Sequence, residues 1–394
     1  MHRWCPDDET RALLELTAEL AGREVRPAAA DAERAGRFPR ELLRTLGRAG
    51  LLGLPYPQEH GGGGVPYQVY LQVLEELAAA WLTVALSVSV HTLACFPVAA
   101  YASADLRDKL LPGMLGGEML GAYCLSEPQS GSDAAALRTR AGSEVPGPPA
   151  TSSGSPDYVI NGRKAWITHG GEADFYTVFA RTSGEPHGPG RSRGISCLHV
   201  PAETAGLKAA PPEHKMGMQA STTAQMIFDD VQVPGGFLIG AEGDGFPIAL
   251  AALDAGRLGI AACSTGLAQA ALDLAAGYAR EREQFGRPVI EFQGLAFMLA
   301  DMATAVEAAR SMYLMAARRK DEGLPFGQQA AMAKLFASDT AMRVTTDAVQ
   351  VLGGYGYVAD FPAERYLREA KVLQIVEGTN QVQRMVIGRA LASR

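Results

Sequence analysis

The sequence predicts an α+β fold in which helical regions flank a central β domain, and three observations carry that reading. Near the start, Leu13, Leu16 and Leu20, then Leu42, Leu43 and Leu46, recur at helical spacing. After Met119 the pattern changes to short runs rich in β-branched and aromatic residues. Finally, Leu295, Met298, Leu299, Met302 and Val306 repeat at i, i+3, i+4, i+7 and i+11, an apolar stripe suited to a helical bundle.

Taken in order, residues 1–119 form the amino-terminal helical domain, with breaks expected at Pro27, Pro39 and the glycine run 61–64. Residues 120–233 form the β domain. Within it, 157–168 reads as a hairpin, because Asn161-Gly162 is the strongest short turn signal. Further strands are expected at 175–180, 195–200 and 224–228. Residues 141–156 and 182–193 are rich in Pro, Gly and Ser and read as surface loops. Residues 234–394 form the carboxyl-terminal bundle, with helices from Phe246 onward and no internal repeat.

A chain of 394 residues with 47% hydrophobic and 20% charged residues has ample core and is neither disordered nor fibrous. Against 36 Lys and Arg stand 43 Asp and Glu, a net charge of −7 that offers no broad basic surface, so nucleic acid is excluded as a partner. Cysteines at 5, 95, 124, 197 and 263 contain no C-x-x-C pair and read as reduced thiols. With no basic-then-apolar start, cytoplasmic residence is the expectation. Residues 77–104 lack charge and are long enough to cross a bilayer, but they carry Thr, Ser, His91 and Pro97 and lean on Ala. A buried helix pair lining an interior is the better reading, with no membrane span.

No G-x-G-x-x-G follows a strand, no P-loop is present, and the seven histidines are scattered, so neither a Rossmann site nor a metal centre is supported. Several short segments could carry chemistry. Trp166 and Thr168 are two apart, so on a strand both face one side and could meet one planar ligand; a cross-strand core aromatic is the plainer alternative. The loop from Leu125 through Ser126 and Gly131 to Ser132 exposes backbone donors and acceptors, although alone it is only a turn. Arg282 and Gln284 place a cation and an amide at a helix end, suited to a pyrophosphate or to a surface ion pair. Glu377 is followed by Gly378 and flanked by Ile375 and Val376, an apolar setting that raises a carboxyl pKa. A solvated helix-start Glu is its alternative. Asp254 and Arg257 could form a helical i, i+3 pair.

Five segments in order, Tyr123-Cys-Leu-Ser-Glu-Pro-Gln-Ser-Gly-Ser-Asp133, Trp166-Ile-Thr168, Arg280-Glu-Arg-Glu-Gln-Phe-Gly286, Gln350-Val-Leu-Gly-Gly-Tyr-Gly356 and Glu377-Gly-Thr-Asn-Gln381, resemble the acyl-CoA dehydrogenase flavoproteins. The resemblance spans nearly the whole chain. It implies a barrel-like middle domain, a four-helix carboxyl-terminal bundle, and FAD held by Leu125, Ser126, Gly131, Ser132, Trp166 and Thr168. From a neighbouring subunit, Arg282, Gln284, Gln293, Gln350, Gly353 and Gly354 would reach the adenine half, with Thr379 and Gln381 also on the cofactor. Each site would then need two chains, which implies a homo-oligomer, a tetramer in the family pattern. Glu377 is implied as the base that removes the α proton of an acyl-CoA, and Ser132, Asp254, Arg257 and Gly378 as substrate contacts. Electrons would pass to an electron-transfer flavoprotein. An oxidase on the same fold and a non-catalytic acyl-CoA or flavin-binding protein are the competing readings. A minority of the family takes its base from the position before the Arg of Leu253-Asp-Ala-Gly-Arg257; here that position is Gly256. His169 stands where the family more often has Asn, and the loop at 141–156 is longer than the usual turn. The later helices are most similar to the short-chain and branched-chain members.

Overall fold

The computed structural model describes residues 4–142 and 157–392. The long loop expected at 141–156 therefore lies almost wholly outside the described residues. The chain begins with six helices: α1 (Asp8–Leu20), α2 (Arg26–Ala35), α3 (Arg40–Arg48), α4 (Tyr67–Ala80), α5 (Leu82–Tyr101) and α6 (Ala104–Leu115). Pro39 and the 61–64 glycine run do interrupt the helices. Pro27 does not. It sits in the first turn of α2, just after a π-helical turn at Ala21–Val25, and that widened turn absorbs the missing N–H so that helix runs on from α1.

Eight strands follow: β1 (Gly121–Cys124), β2 (Arg140–Gly142), β3 (Tyr158–Thr168), β4 (Phe175–Arg181), β5 (Ile195–Pro201), β6 (Leu207–Ala209), β7 (Thr223–Val233) and β8 (Leu238–Ile239). They make one sheet in the order β6-β7-β3-β2-β4-β5-β8, with β1 parallel to β4. The last strand lies beyond residue 233. Side chains alternate along β4: Phe175 and Phe179 pack with the α5 and α6 residues Val98 and Leu111, while Tyr176 and Val178 join Leu198 of β5 and Phe228 of β7. Strands well separated in the sheet order thus share one interior, so the sheet curls on itself as a barrel-like layer does.

The hairpin expected at Asn161-Gly162 is absent. β3 runs straight through, pairing with β7 on both sides of a register shift between Ile160 and Gly162. The side chain of Asn161 donates to Asp230 Oδ1 at 2.8 Å and accepts from Asp230 N at 2.9 Å, and Asp230 has φ 51°. The Asn-Gly pair therefore faces a bulge on β7 instead of making a turn. Gly162 is required because an added carbon there would meet Thr139 Cα at 2.8 Å.

Helices return with α7 (Gly245–Glu281), α8 (Gln293–Asp321), α9 (Gly327–Leu352), α10 (Gly354–Tyr357), α11 (Ala363–Leu373) and α12 (Asn380–Ala392); a two-stranded hairpin, β9 (Glu283–Gln284) and β10 (Arg287–Pro288), joins α7 to α8. Leu299, Met302 and Val306 are buried in the core this bundle shares with α4 and α5. Both α5 and α7 are long and apolar enough to cross a membrane, yet both are mostly buried inside the protein. Burial all round is why α5 lacks an amphipathic pattern. All five cysteines are unpaired, and four of them are buried.

Candidate active site

Between α11 and α12 the chain reverses through two successive left-handed residues, Glu377 at φ 53° and Gly378 at φ 88°. Gly378 adopts this region readily; a Glu does so at a cost of about 1–2 kcal/mol. The turn is held from both sides: Gln383 Nε2 donates to Glu377 O at 3.2 Å and to Gly378 O at 2.7 Å, and Lys334 Nζ donates to Gly378 O at 3.0 Å. The strained backbone aims the Glu377 carboxyl inward. Both its oxygens are buried and accept no hydrogen bond. Burial pushes its pKa up to about 7, against the pull of the Arg257 and Lys334 cations.

The apolar setting was expected from Ile375 and Val376. Val376 packs against the core, but Ile375 is 53% exposed. Desolvation comes from α7 instead, where Gly256 touches the carboxyl, and from the neighbouring Tyr67, Tyr70 and Tyr123. A cavity of about 200 Å³ opens beside Gly256, lined by Tyr67, Ser89, Thr92, Phe96, Ala252 and Ala255. The uncharged 77–104 segment and the helix around Leu253 thus supply its walls, as the sequence indicates.

On the same helix, Arg257 Nη1 donates to Asp254 Oδ1 at 2.5 Å, so the i, i+3 pair forms. Arg257 is buried, and its Nε has no hydrogen-bond partner. Burial raises the Asp254 pKa while Arg257 opposes the rise. Asp254 also faces the start of α9, where an added carbon on Gly327 would stand 2.8 Å from its Oδ2.

A second group of residues forms an open face beside β1. Trp166 lies at a bulge in β3, between the Lys164 and Ile167 pairings, with φ 62°. Its ring is 62% exposed, whereas Ile167 beside it is buried and Thr168 is half-buried. Trp166 and Thr168 therefore both stand off the buried face, with the bulge setting the direction of Trp166 instead of plain alternation. The Leu125–Ser132 loop is stitched alongside: Ala165 N donates to Ser126 O at 2.9 Å, and Lys164 Nζ donates to Leu125 O at 3.0 Å. Lys164 also pairs with Glu127 at 2.9 Å, an ion pair removed from water that the sequence reading missed. Gly131 and Ser132 are exposed, with open space around Gly131. A large exposed indole next to a loop of exposed polar backbone fits a planar, partly apolar ring such as a flavin. Tyr123, on β1 leading into the loop, donates from its hydroxyl to Ala249 O at 3.2 Å, on the same helix whose Gly256 meets the Glu377 carboxyl.

The remaining residues lie apart. Arg282 and Gln284 are exposed at the hairpin after α7, beside Phe285 at 94% exposure; Gln293 starts α8, and Gln350, Gly353 and Gly354 are exposed at the end of α9. Among the described residues no hydrogen bond joins this edge to the Trp166 face. Thr379 Oγ1 accepts from Val382 N at 3.3 Å, capping α12, and Gln381 is exposed.

A helical–β–helical chain with an exposed indole beside a loop of exposed backbone, and a buried carboxyl beside a cavity, is an arrangement that suits a flavin-dependent oxidoreductase. The comparisons agree. Three family models cover the chain: the acyl-CoA dehydrogenase N-terminal domain over residues 7–118, the middle domain over 122–231 and the C-terminal domain over 243–392. A short-chain specific acyl-CoA dehydrogenase of Clostridium acetobutylicum is 41% identical over 383 residues, 96% of this chain and 97% of that protein. Butyryl-CoA dehydrogenase of Megasphaera elsdenii superposes with a TM-score of 0.93 at 38% identity, covering 99% of this chain and 100% of that one. A chain from work on the electron transferring flavoprotein of Acidaminococcus fermentans, concerned with flavin-based electron bifurcation, superposes at 0.94 with 41% identity and full coverage of both chains. The chain belongs to the acyl-CoA dehydrogenase family, a family of flavoprotein oxidoreductases.

Proposed function

We propose that the protein desaturates short or short-branched acyl-CoA thioesters between the α and β carbons, with Glu377 as the base. The observation that carries this reading is the Glu377 carboxyl: buried, without a hydrogen-bond partner, against the Gly256 that lines the cavity, with a pKa raised by burial to about 7. A carboxylate with no competing donor is free to accept a proton, and a pKa near the working pH suits a general base. The acyl chain occupies the cavity between α5 and α7, placing the α carbon at Glu377. Asp254, Arg257 and Ser132 contact the CoA portion, the unpartnered Arg257 Nε offering one donor to it.

Trp166, Thr168 and the Leu125–Ser132 loop hold FAD on the face beside β1, and Arg282, Gln284, Gln293, Gln350, Gly353 and Gly354 of a neighbouring subunit hold its adenine half. Bound there, FAD would supply the acceptor for the β hydride and the route by which the electron pair reaches an electron-transfer flavoprotein. Glu377 takes the α proton, the double bond forms between the α and β carbons, and Glu377 leaves the step protonated. The electron-transfer partner is supported by the Acidaminococcus fermentans neighbour, and the short chain by the Megasphaera elsdenii butyryl-CoA enzyme and the Clostridium acetobutylicum relative.

The test is anaerobic mixing with a panel of acyl-CoAs of different length and branching. Bleaching of the flavin, fastest with short chains and without oxygen uptake when air is admitted, is the expected result. Rapid oxygen consumption without a carrier would replace this reading with an oxidase, and an unbleached flavin would replace it with a binding protein.

A further inference from the structure

Lys334 sits on α9 among Ala330, Ala333 and Ala337 and is buried completely. An isolated ammonium in such a place is costly unless its protons are used. Lys334 Nζ donates to Gly378 O at 3.0 Å and to Asn380 Oδ1 at 2.8 Å, the carbonyl directly after Glu377 and the first residue of α12. Asn380 is fixed in turn by Ser338 Oγ at 3.0 Å and Asp339 Oδ1 at 2.7 Å, one helical turn further along α9. Gln374, before the turn, donates to the same Asp339 oxygen at 2.6 Å. One stretch of α9 therefore grips the Glu377 turn on both sides.

The charged and titratable groups acting on Glu377 come from four elements. Arg257 and Cys263 lie on α7, Lys334 on α9, Tyr67 and Tyr70 on α4, and Tyr123 on β1. Burial pushes the thiol and all three phenols upward, so they stay neutral in the working range. Arg257 is already paired with Asp254. Lys334 donates only to neutral oxygens and makes no ion pair within 4 Å among the described residues, and its charge acts on the Glu377 carboxylate first and on Asp339 second.

We propose that Lys334 is a positioning residue for the base: its ammonium anchors the left-handed Glu377–Gly378 turn and biases the Glu377 carboxyl toward the ionised, proton-accepting form. This rests on the reading of Glu377 as the α-proton base. Burial brings Lys334 down to about 8, with the Glu377 and Asp339 charges opposing the shift. Removing an opposite charge that acts on a carboxylate moves its pKa up, by about one unit where the charge is close.

The experiment compares wild type with K334Q, which keeps a donor without the charge, K334M, which keeps neither, and K334R, which keeps the charge. Two readouts are taken against pH: the rate of flavin reduction by the best acyl-CoA, and the carboxyl band of Glu377 isolated in infrared difference spectra against E377Q. In K334Q and K334M both midpoints are expected to rise by about one pH unit, with K334R close to wild type. A merely structural role lowers the rate equally at every pH and leaves the infrared midpoint in place, and that outcome overturns the proposal. Should K334M fail to fold, K334Q decides alone, since it keeps a polar side-chain donor in the buried site. An E377Q that still reduces its flavin within a few-fold of wild type overturns the base assignment; an inactive E377Q with unmoved midpoints in the Lys334 variants overturns only the role of Lys334.

Discussion

Gly256 and the Glu377 carboxyl compete for one space. A carbon added at Gly256 would overlap Glu377 Oε2 and stand 2.9 Å from Glu377 Cδ. The helix position where the family resemblance implies an alternative base therefore carries no side chain here, and the Glu377 carboxyl fills that space from the opposite segment. Gly256→Ala should push Glu377 out of line and lower the rate of flavin reduction by up to about 100-fold, the scale of a misplacement near 1 Å. FAD content should hold, because the Trp166 face is untouched. A G256A enzyme with wild-type rates would show that the carboxyl has room to spare.

Glu377→Gln keeps the shape of the side chain but cannot accept the α proton. Flavin reduction should fall by about 100- to 10,000-fold, while a substrate analogue should still perturb the flavin spectrum through contacts at Asp254 and Arg257. In the wild type the base works only when ionised, so the rate should climb as pH rises through about 7 and then level off. A flat profile, or an E377Q variant within a few-fold of wild type, would place the base elsewhere.

Arg282 is exposed and has no carboxylate partner among the described residues, which leaves its guanidinium available to a phosphate on a neighbouring subunit. Arg282→Ala should weaken FAD retention by about 10- to 100-fold with little change in folding, the size of a lost charge-assisted bond. The measurement is flavin released on dilution and gel filtration, alongside the oligomeric state. Full retention of FAD by the variant, or a flavin-loaded monomer in the wild type, would remove the shared site.

What the sequence makes legible follows from the range of the interactions. The Met302 and Val306 stripe and the order of helical and β regions rest on local periodicity, and they are seen as expected. Glu377 stands out in the sequence and is buried in the fold, but the reason for its burial is not legible, because Gly256 and Tyr67 reach it from distant parts of the chain. Asn161-Gly162 misleads for the same reason: a turn signal is overridden by Asp230, which lies 69 residues away and supplies the bulge it pairs with. Lys334 carries one faint signal, a lone lysine among alanines, whereas Lys164, directly after the exposed Arg163, carries none. Their partners, Gly378 and Glu127, are visible only once the chain is folded.

Lys164 and Glu127 give a stability prediction. Burial disfavours the Glu127 charge, but Lys164 and the donors from Thr139 and Arg138 outweigh it and bring the carboxyl to about 2. Lys164→Met strands that carboxylate and should cost about 3–5 kcal/mol in urea unfolding. Adding Glu127→Gln should recover most of the loss, since a neutral amide tolerates the site. A single variant as stable as wild type would mean that the backbone donors to Glu127 suffice alone.

The two buried histidines at β1 predict how stability depends on acid. Gly121 N donates to His91 Nδ1 at 3.0 Å, and His169 Nδ1 donates to Gly121 O at 2.9 Å, so one residue of β1 is clasped by two neutral rings. Burial holds His91 down to about 3 and His169 down to about 4. In the unfolded chain both titrate near 6.5. The folded state therefore binds fewer protons, and the contribution of each ring is fully present above pH 6.5 and lost as pH falls toward 4 and 3. For His169 alone this is on the order of 3 kcal/mol. Glu369 acts in the opposite sense, since burial raises it to about 8 and its contribution fades as pH rises from 4.5, so the histidine effect is read best as a difference between variants. His169→Asn is suited to that comparison: Asn tolerates the φ of 65° found at this position, can still donate to Gly121 O, and does not titrate. Between pH 7 and pH 4.5, wild type should lose more of its unfolding free energy than H169N does. Equal losses in the two proteins would show that His169 is protonated in the fold without penalty and that the clasp on Gly121 does not depend on a neutral ring.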